Sequence, residues 1–242
     1  MGENKTIAII DAGNTRVKLG LFKNDQCTRV EAFKKTEQSE FFSFLQEQQI
    51  DFLYISSVLS EEENKNWFGK FEHDFFRSAN KLPISIQYNS PETLGADRLI
   101  NACAAWKENP NSNSLVIDLG TCIKFDMVSK QGKYLGGSIS PGIEIRLRAL
   151  NEYTGKLPKI DSRKFDKLIG ESTEESILSG VMCAIQEEIN GFIGRYREQF
   201  ADLTVFVTGG DAKFFDFPQK SNIFALENLT LNGLYYIYKL ND

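Results

Sequence analysis

Two short stretches carry the residue types that phosphate chemistry needs. Asp11-Ala12-Gly13-Asn14-Thr15 follows the apolar run Ile7-Ala8-Ile9-Ile10, and Asp118-Leu119-Gly120-Thr121 follows Leu115-Val116-Ile117. Each stretch then leaves through an alternating strand pattern, Val17, Leu19 and Leu21 in the first and Ile123, Phe125 and Met127 in the second. A carboxylate at the end of a strand can hold a hydrated metal ion or a water. A glycine lets backbone N–H groups approach a phosphate closely. A threonine hydroxyl adds a donor, and consecutive N–H groups in such a turn form an anion-binding concavity. One copy alone is also explained by an ordinary Asx-type turn. Two copies on matching hairpins point to a grip on a nucleotide polyphosphate from two sides.

Further pieces complete this set. The β-branched run Thr204-Val205-Phe206-Val207-Thr208 ends at Gly209-Gly210-Asp211-Ala212, which suits close approach by a base or ribose, or a plain left-handed turn. The second hairpin continues to a Gly-rich loop at Gly136-Gly137 and Pro141-Gly142. Arg16 and Lys18 share one face of the second strand, because alternate residues point the same way. Lys18 is either a phosphate contact or a solvated strand lysine. Gly95-Ala96-Asp97-Arg98 sets a base and a cation side by side at a helix entry. On residue types alone, Asp97 equally suits a surface acid favoured by the helix dipole.

Taken together, the pieces resemble the actin, heat-shock chaperone and sugar kinase superfamily of ATP-binding proteins. Within it the chain resembles the type III pantothenate kinases. DAGNTRVK at 11–18, GADR at 95–98, DLGT at 118–121 and GGSISPG at 136–142 stand in family order, and the likeness covers essentially the whole chain. The resemblance implies an α/β fold of two duplicated ribonuclease-H-like lobes, the actin-like ATPase fold, with a cleft between them. It implies ATP-dependent phosphorylation of pantothenate to 4'-phosphopantothenate, the first step of coenzyme A biosynthesis. Asp97 then takes the place of the general base. Asp11, Ala12, Gly13, Asn14, Thr15, Arg16, Val17, Lys18 and Thr121 match ATP contacts, with Asp11 on the Mg-ATP side. Asp118 matches the aspartate that binds an activating monovalent cation, potassium or ammonium. Tyr88, Gly95, Ala96, Asp97, Arg98 and Thr173 match pantothenate contacts. The resemblance also implies a homodimer, in which the threonine matching Thr173 reaches the other subunit's pantothenate pocket.

One position departs from the family pattern. A small residue and a threonine usually follow D-x-G-T, whereas this chain has Cys122-Ile123-Lys124. Lys124 puts a cation beside the phosphate motif, either replacing part of the phosphate or metal contact or facing solvent. Two other readings compete with the pantothenate kinase. One is another small-molecule kinase or ATPase of the superfamily, which the short chain and lack of large insertions disfavour. The other is a non-enzymatic accessory transcriptional regulator.

Composition narrows the classes. The net charge of -5 and the absence of a basic stripe argue against nucleic acid as the main partner. Hydrophobic residues at 41% and charged residues at 25% fit a soluble globular protein. No apolar run approaches the ~20 residues of a membrane span, and no signal-peptide pattern opens the chain, so a cytoplasmic protein is expected. Cys27, Cys103, Cys122 and Cys183 lack metal-ligand spacing and read as reduced thiols, with Cys122 a candidate for oxidation inside the second motif. A single histidine, His73, disfavours a histidine-based triad or multi-histidine metal site.

Two lobes must position these motifs. A length of 242 residues suits two cores. The polar loop at 107–114 suggests lobes at 1–112, with the first phosphate motif and GADR, and 113–242, with the second phosphate motif and TGGDA at 208–212, which the resemblance makes an adenosine motif. In the first, the pattern predicts a hairpin plus third strand over 5–33 and a helix over 36–49 capped by Thr36. A strand over 52–58 follows, then an aromatic stretch near helical spacing over 60–80 and a closing strand over 84–88. A helix from Leu94 ends the lobe. In the second, a short helix over 143–150 precedes an exposed arm over 151–170. A long helix capped near Thr173, the strand at 204–208 and a last helix over 229–239 follow.

Overall fold

The computed structural model describes residues 5–77, 79–217 and 222–242. In chain order the strands and helices are β1 (Thr6–Ala12), β2 (Arg16–Lys23), β3 (Gln26–Lys34), α1 (Gln38–Glu47), β4 (Phe52–Ser57), α2 (Glu61–Phe68), β5 (His73–Phe75), β6 (Ser85–Ile86) and α3 (Ala96–Glu108). They continue with β7 (Ser114–Leu119), β8 (Cys122–Val128), β9 (Lys133–Pro141), α4 (Ile143–Glu152), α5 (Thr173–Leu178), α6 (Ala184–Gln199), β10 (Thr204–Thr208), β11 (Ile223–Ala225) and α7 (Leu229–Asn241). The chain divides into two compact units. One holds the residues through Ile84, Asn89–Lys107 and Asn228–Asp242, and the other holds Ser85–Tyr88 and Glu108–Glu227.

The two sheets repeat one topology. In the first unit the order is β3-β2-β1-β4-β5, with an antiparallel meander on one side of β1 and parallel strands on the other. In the second, β9-β8-β7-β10-β11 has the same sense at every pairing, and β6 is added beyond β9. This is the duplicated ribonuclease-H-like arrangement expected.

In the first unit Ala8, Ile10, Leu19, Leu53 and Ile55 pack with Phe41, Phe44, Trp67 and Phe68 of α1 and α2. Ile10, Leu19, Leu53 and Ile55 are wholly buried, each worth ~1.5–3 kcal/mol against exposure. On α7, Tyr235 stacks on Phe22 of β2 with ring centroids 4.1 Å apart. A Cβ at Gly20 would lie 3.2 Å from Leu231 of the same helix. In the second unit Leu115, Ile117, Ile123 and Phe125 meet Leu147 of α4 and Ile177, Ile185 and Ile189 of α5 and α6.

Several expectations need correction. The segment expected to close the first lobe joins the second sheet: Ser85 N donates to Gly132 O at 2.8 Å and Gln87 N to Tyr134 O at 2.9 Å. The last helix, expected in the second lobe, packs in the first unit. The cap of α1 falls at Glu37 rather than Thr36, and that of α5 at Ser172, whose Oγ accepts from Glu175 N at 3.1 Å, rather than Thr173. Helix α2 opens with a capping box, Ser60 Oγ accepting from Glu63 N and Glu63 Oε2 accepting from Ser60 N. It ends at Phe68, so Phe75 lies on a strand and Phe71 and Phe76 do not continue the helix. The long helix carries a π-helical turn at Ser179–Cys183, between α5 and α6.

Candidate active site

Both aspartate hairpins form, with the same cross-strand placement. Asp11 on β1 lies opposite Lys18 on β2, and Asp118 on β7 lies opposite Lys124 on β8. In the first hairpin, Gly13 N donates to Arg16 O at 2.9 Å and closes the turn. Ala12 and Val17 are buried in the core, so only their backbone is available to a ligand. Asn14, Thr15 and Arg16 are exposed around the turn, and Asp11 and Lys18 are half-buried beside it. Val58 N donates to Ala12 O at 3.0 Å, which fixes the turn to the end of β4.

The second hairpin is the more tightly built. Gly120 N donates to Cys122 O at 3.2 Å, and Thr121 is exposed at the tip. The Gly-rich loop returns to this tip: Gly142 N donates to Thr121 O at 3.0 Å. A Cβ at Gly142 would lie 2.1 Å from Gly120 O, so the approach requires glycine. Gly209 sits at φ 98°, where a Cβ would lie 2.1 Å from Leu119 O, and Asp211 N donates to that carbonyl at 3.0 Å. Three motifs distant in sequence, DLGT, SPG and GGDA, therefore converge at the end of β7. Beside them Lys124 Nζ donates to Asp118 Oδ2 at 2.8 Å, with the side chains only 19% and 17% exposed.

Asp97 stands in the first turn of α3, after Gly95 and Ala96. Its Oδ1 accepts from Arg98 N at 2.9 Å, which folds the carboxylate back on an N–H that the helix leaves unpaired. Arg98 is buried and Asp97 half-buried. Asp97 belongs to the same unit as Asp11, Thr15 and Lys18; Asp118, Thr121 and Lys124 belong to the other. Tyr88 also falls in the second unit. Its ring meets Tyr134 edge-on at 5.9 Å and lies against Gly136 of the Gly-rich loop. Tyr134 in turn donates to the buried Asp126 at 2.7 Å. Thr173 is exposed at the first residue of α5.

A polar cluster behind the Gly-rich loop was not foreseen. Arg146 on α4 donates through Nε to Pro141 O at 2.8 Å and pairs with Glu188 on α6, which also accepts from Ser140 Oγ. This ties the loop at 138–142 to two helices. Arg146 and Glu188 are 42 residues apart, and no local pattern links them. The four cysteines are free thiols; burial pushes the Cys103 thiol up, and Cys122 is half-buried in the second hairpin. Among the described residues no helix is long and apolar enough to cross a membrane.

The repeated sheets, each with its aspartate hairpin, define the class: an actin-like ATPase fold. A structure of MreB5 from Spiroplasma citri bound to ADP has the same fold, with a TM-score of 0.50 at 12% identity over 98% of this chain and 97% of its own. A Campylobacter jejuni structure described as a Baf family transcriptional activator matches with a TM-score of 0.61 at 19% identity, over 97% and 98%. The family model for type III pantothenate kinase matches residues 7–195. A type III pantothenate kinase from Christiangramia forsetii is 38% identical over 237 residues, covering 96% of this chain and 98% of its own. The chain belongs to the type III pantothenate kinase family.

Proposed function

We infer that this chain transfers the γ-phosphoryl group of ATP to the hydroxyl of pantothenate, giving 4'-phosphopantothenate for coenzyme A biosynthesis. The observation that carries the reading is the family match over residues 7–195, which spans both aspartate hairpins and the Asp97 helix entry.

The roles follow from chemistry. Asp97 orients the acceptor hydroxyl and takes its proton. A carboxylate is a weak base toward an alcohol, and general-base help of this kind is worth ~10²–10⁴-fold. Alignment and neutralisation of the phosphate oxygens carry more of the barrier. Lys18, Asn14, Thr15 and the N–H groups of the Gly13–Arg16 turn serve one side of the polyphosphate, and Thr121 serves the other. A divalent metal accompanies ATP in a kinase, and we assign Mg²⁺ to Asp11. The half-buried carboxylate beside an exposed polar turn fits it; when bound, the ion neutralises phosphate charge. Tyr88, Gly95, Ala96, Arg98 and Thr173 make up the pantothenate side of the proposal. It also includes a homodimer and a cytoplasmic location. The resemblance implies a monovalent cation at Asp118 too, but that carboxylate already holds the Lys124 ammonium, and no step is assigned to a free ion there.

The test is ADP release by purified protein with ATP, Mg²⁺ and pantothenate, alongside Asp97→Asn. Pantothenate-dependent turnover that falls ~10²–10⁴-fold in the variant, with an unchanged melting midpoint, supports the assignment. Turnover without pantothenate, or an unaffected Asp97→Asn, overturns it.

A further inference from the structure

We propose that the ammonium group of Lys124 is the enzyme's own monovalent cation, so that turnover requires neither potassium nor ammonium ions from solution. The inference rests on the kinase reading above, and concerns a place where this chain departs from the pattern the resemblance implies.

Lys124 Nζ stands 2.8 Å from Asp118 Oδ2, the distance of a charge-assisted hydrogen bond. The two residues are directly opposed across β7 and β8, the placement at which cross-strand pairs interact most closely. Ile123 and Phe125, on either side of Lys124, are anchored in the core, so the strand that carries the lysine is fixed. Each partner's side chain is more than four-fifths covered, which reduces solvent screening of the pair. A lysine ends in an ammonium, a compact single positive charge with three donors. Chemically it is a tethered version of one of the two ions the resemblance implies. The tether keeps the charge at the carboxylate at every ionic composition of the solvent. A second monovalent ion at the same oxygen would meet like charge at close range, where such contacts are unfavourable. The phosphate-binding tip at Gly120-Thr121 is the turn between these two strands, so the charge sits at the base of that tip.

The experiment measures pantothenate-dependent ADP release in potassium, ammonium, sodium and tetramethylammonium chlorides at constant ionic strength. Wild-type, Lys124→Ala and Lys124→Met proteins are compared, the methionine keeping the apolar stem. Expected is wild-type turnover within about twofold across the four salts. Both variants should lose about tenfold or more in tetramethylammonium and recover with potassium or ammonium along a saturating curve. A second readout is the melting midpoint without substrates, which potassium should raise over sodium in the variants and leave unmoved in the wild type. Wild-type turnover stimulated several-fold by potassium would overturn the proposal. So would variants that stay indifferent to the cation in both readouts. Absence of pantothenate-dependent turnover in every salt would instead sink the kinase reading. The melting arm would still decide the cation question, a potassium-specific rise in the wild type counting against it.

Discussion

The first hairpin and the second are one device built to different tolerances. Both end a buried strand in an aspartate that faces a lysine across the ladder, Asp11 with Lys18 and Asp118 with Lys124. The first turn is one residue longer and displays Asn14, Thr15 and Arg16. The second is shorter and is clasped by Gly142 from the Gly-rich loop and by Gly209 from the turn after β10. Position in the ladder is thus shared, while the surroundings decide what each pair is for. We read the first lysine as a phosphate contact and the second as a fixed charge for its own aspartate.

The largest expected effect separates the two lysines. Lys18→Ala should lower kcat by about 10²–10³-fold, as loss of one transition-state charge donor does, and no potassium concentration should restore it. Lys124→Ala should lose less and be rescued. Steady-state rates with a potassium titration check both, and equal behaviour would erase the distinction. Next comes the clasp. Gly142→Ala and Gly209→Ala each force a Cβ to 2.1 Å from a carbonyl oxygen, and each should cost ~2–3 kcal/mol in urea unfolding. Gly13→Ala, whose Cβ would lie 3.3 Å from Arg16 O, should cost under ~1 kcal/mol. Smaller again, Thr15→Ala and Thr121→Ala remove exposed hydroxyls. Each should raise the KM for ATP roughly tenfold with little change in stability, read from ATP saturation curves. The smallest is Gly120→Ala. Nothing lies within 4 Å of the added carbon, and the melting midpoint should correspond to a change within about 0.5 kcal/mol.

What the sequence made legible was local. An apolar strand, a short turn and a second alternating strand follow one another within 20 residues, so both hairpins and their aspartates could be placed from pattern alone. The family likeness supplied roles that pattern could not, above all for Asp97. What stayed hidden depends on distant pairing. Ser85 and Ile86 are too few to declare a sheet, and their partner is set by hydrogen bonds to Gly132 and Tyr134. The apolar face of α7 fits any sheet equally; its place beside β2 follows from Gly20 and the Phe22–Tyr235 stack. The aromatic run at 67–76 carried helical spacing, yet the helix stops at Phe68. Ser60 and Glu63 bear the capping-box spacing in the sequence itself, and it marks the start of α2.

The position of α7 has a consequence for synthesis. The sheet of the first unit is encoded by residue 75, but the helix covering Gly20 and Phe22 begins only at Leu229. At ~5–20 residues per second, the ribosome takes roughly 8–30 seconds to cover the intervening stretch. Through that interval the face of the nascent sheet that carries Gly20 and Phe22 lacks the cover that α7 gives it in the folded chain. A helix translated long after that sheet is thus the one that packs on its Gly20 and Phe22.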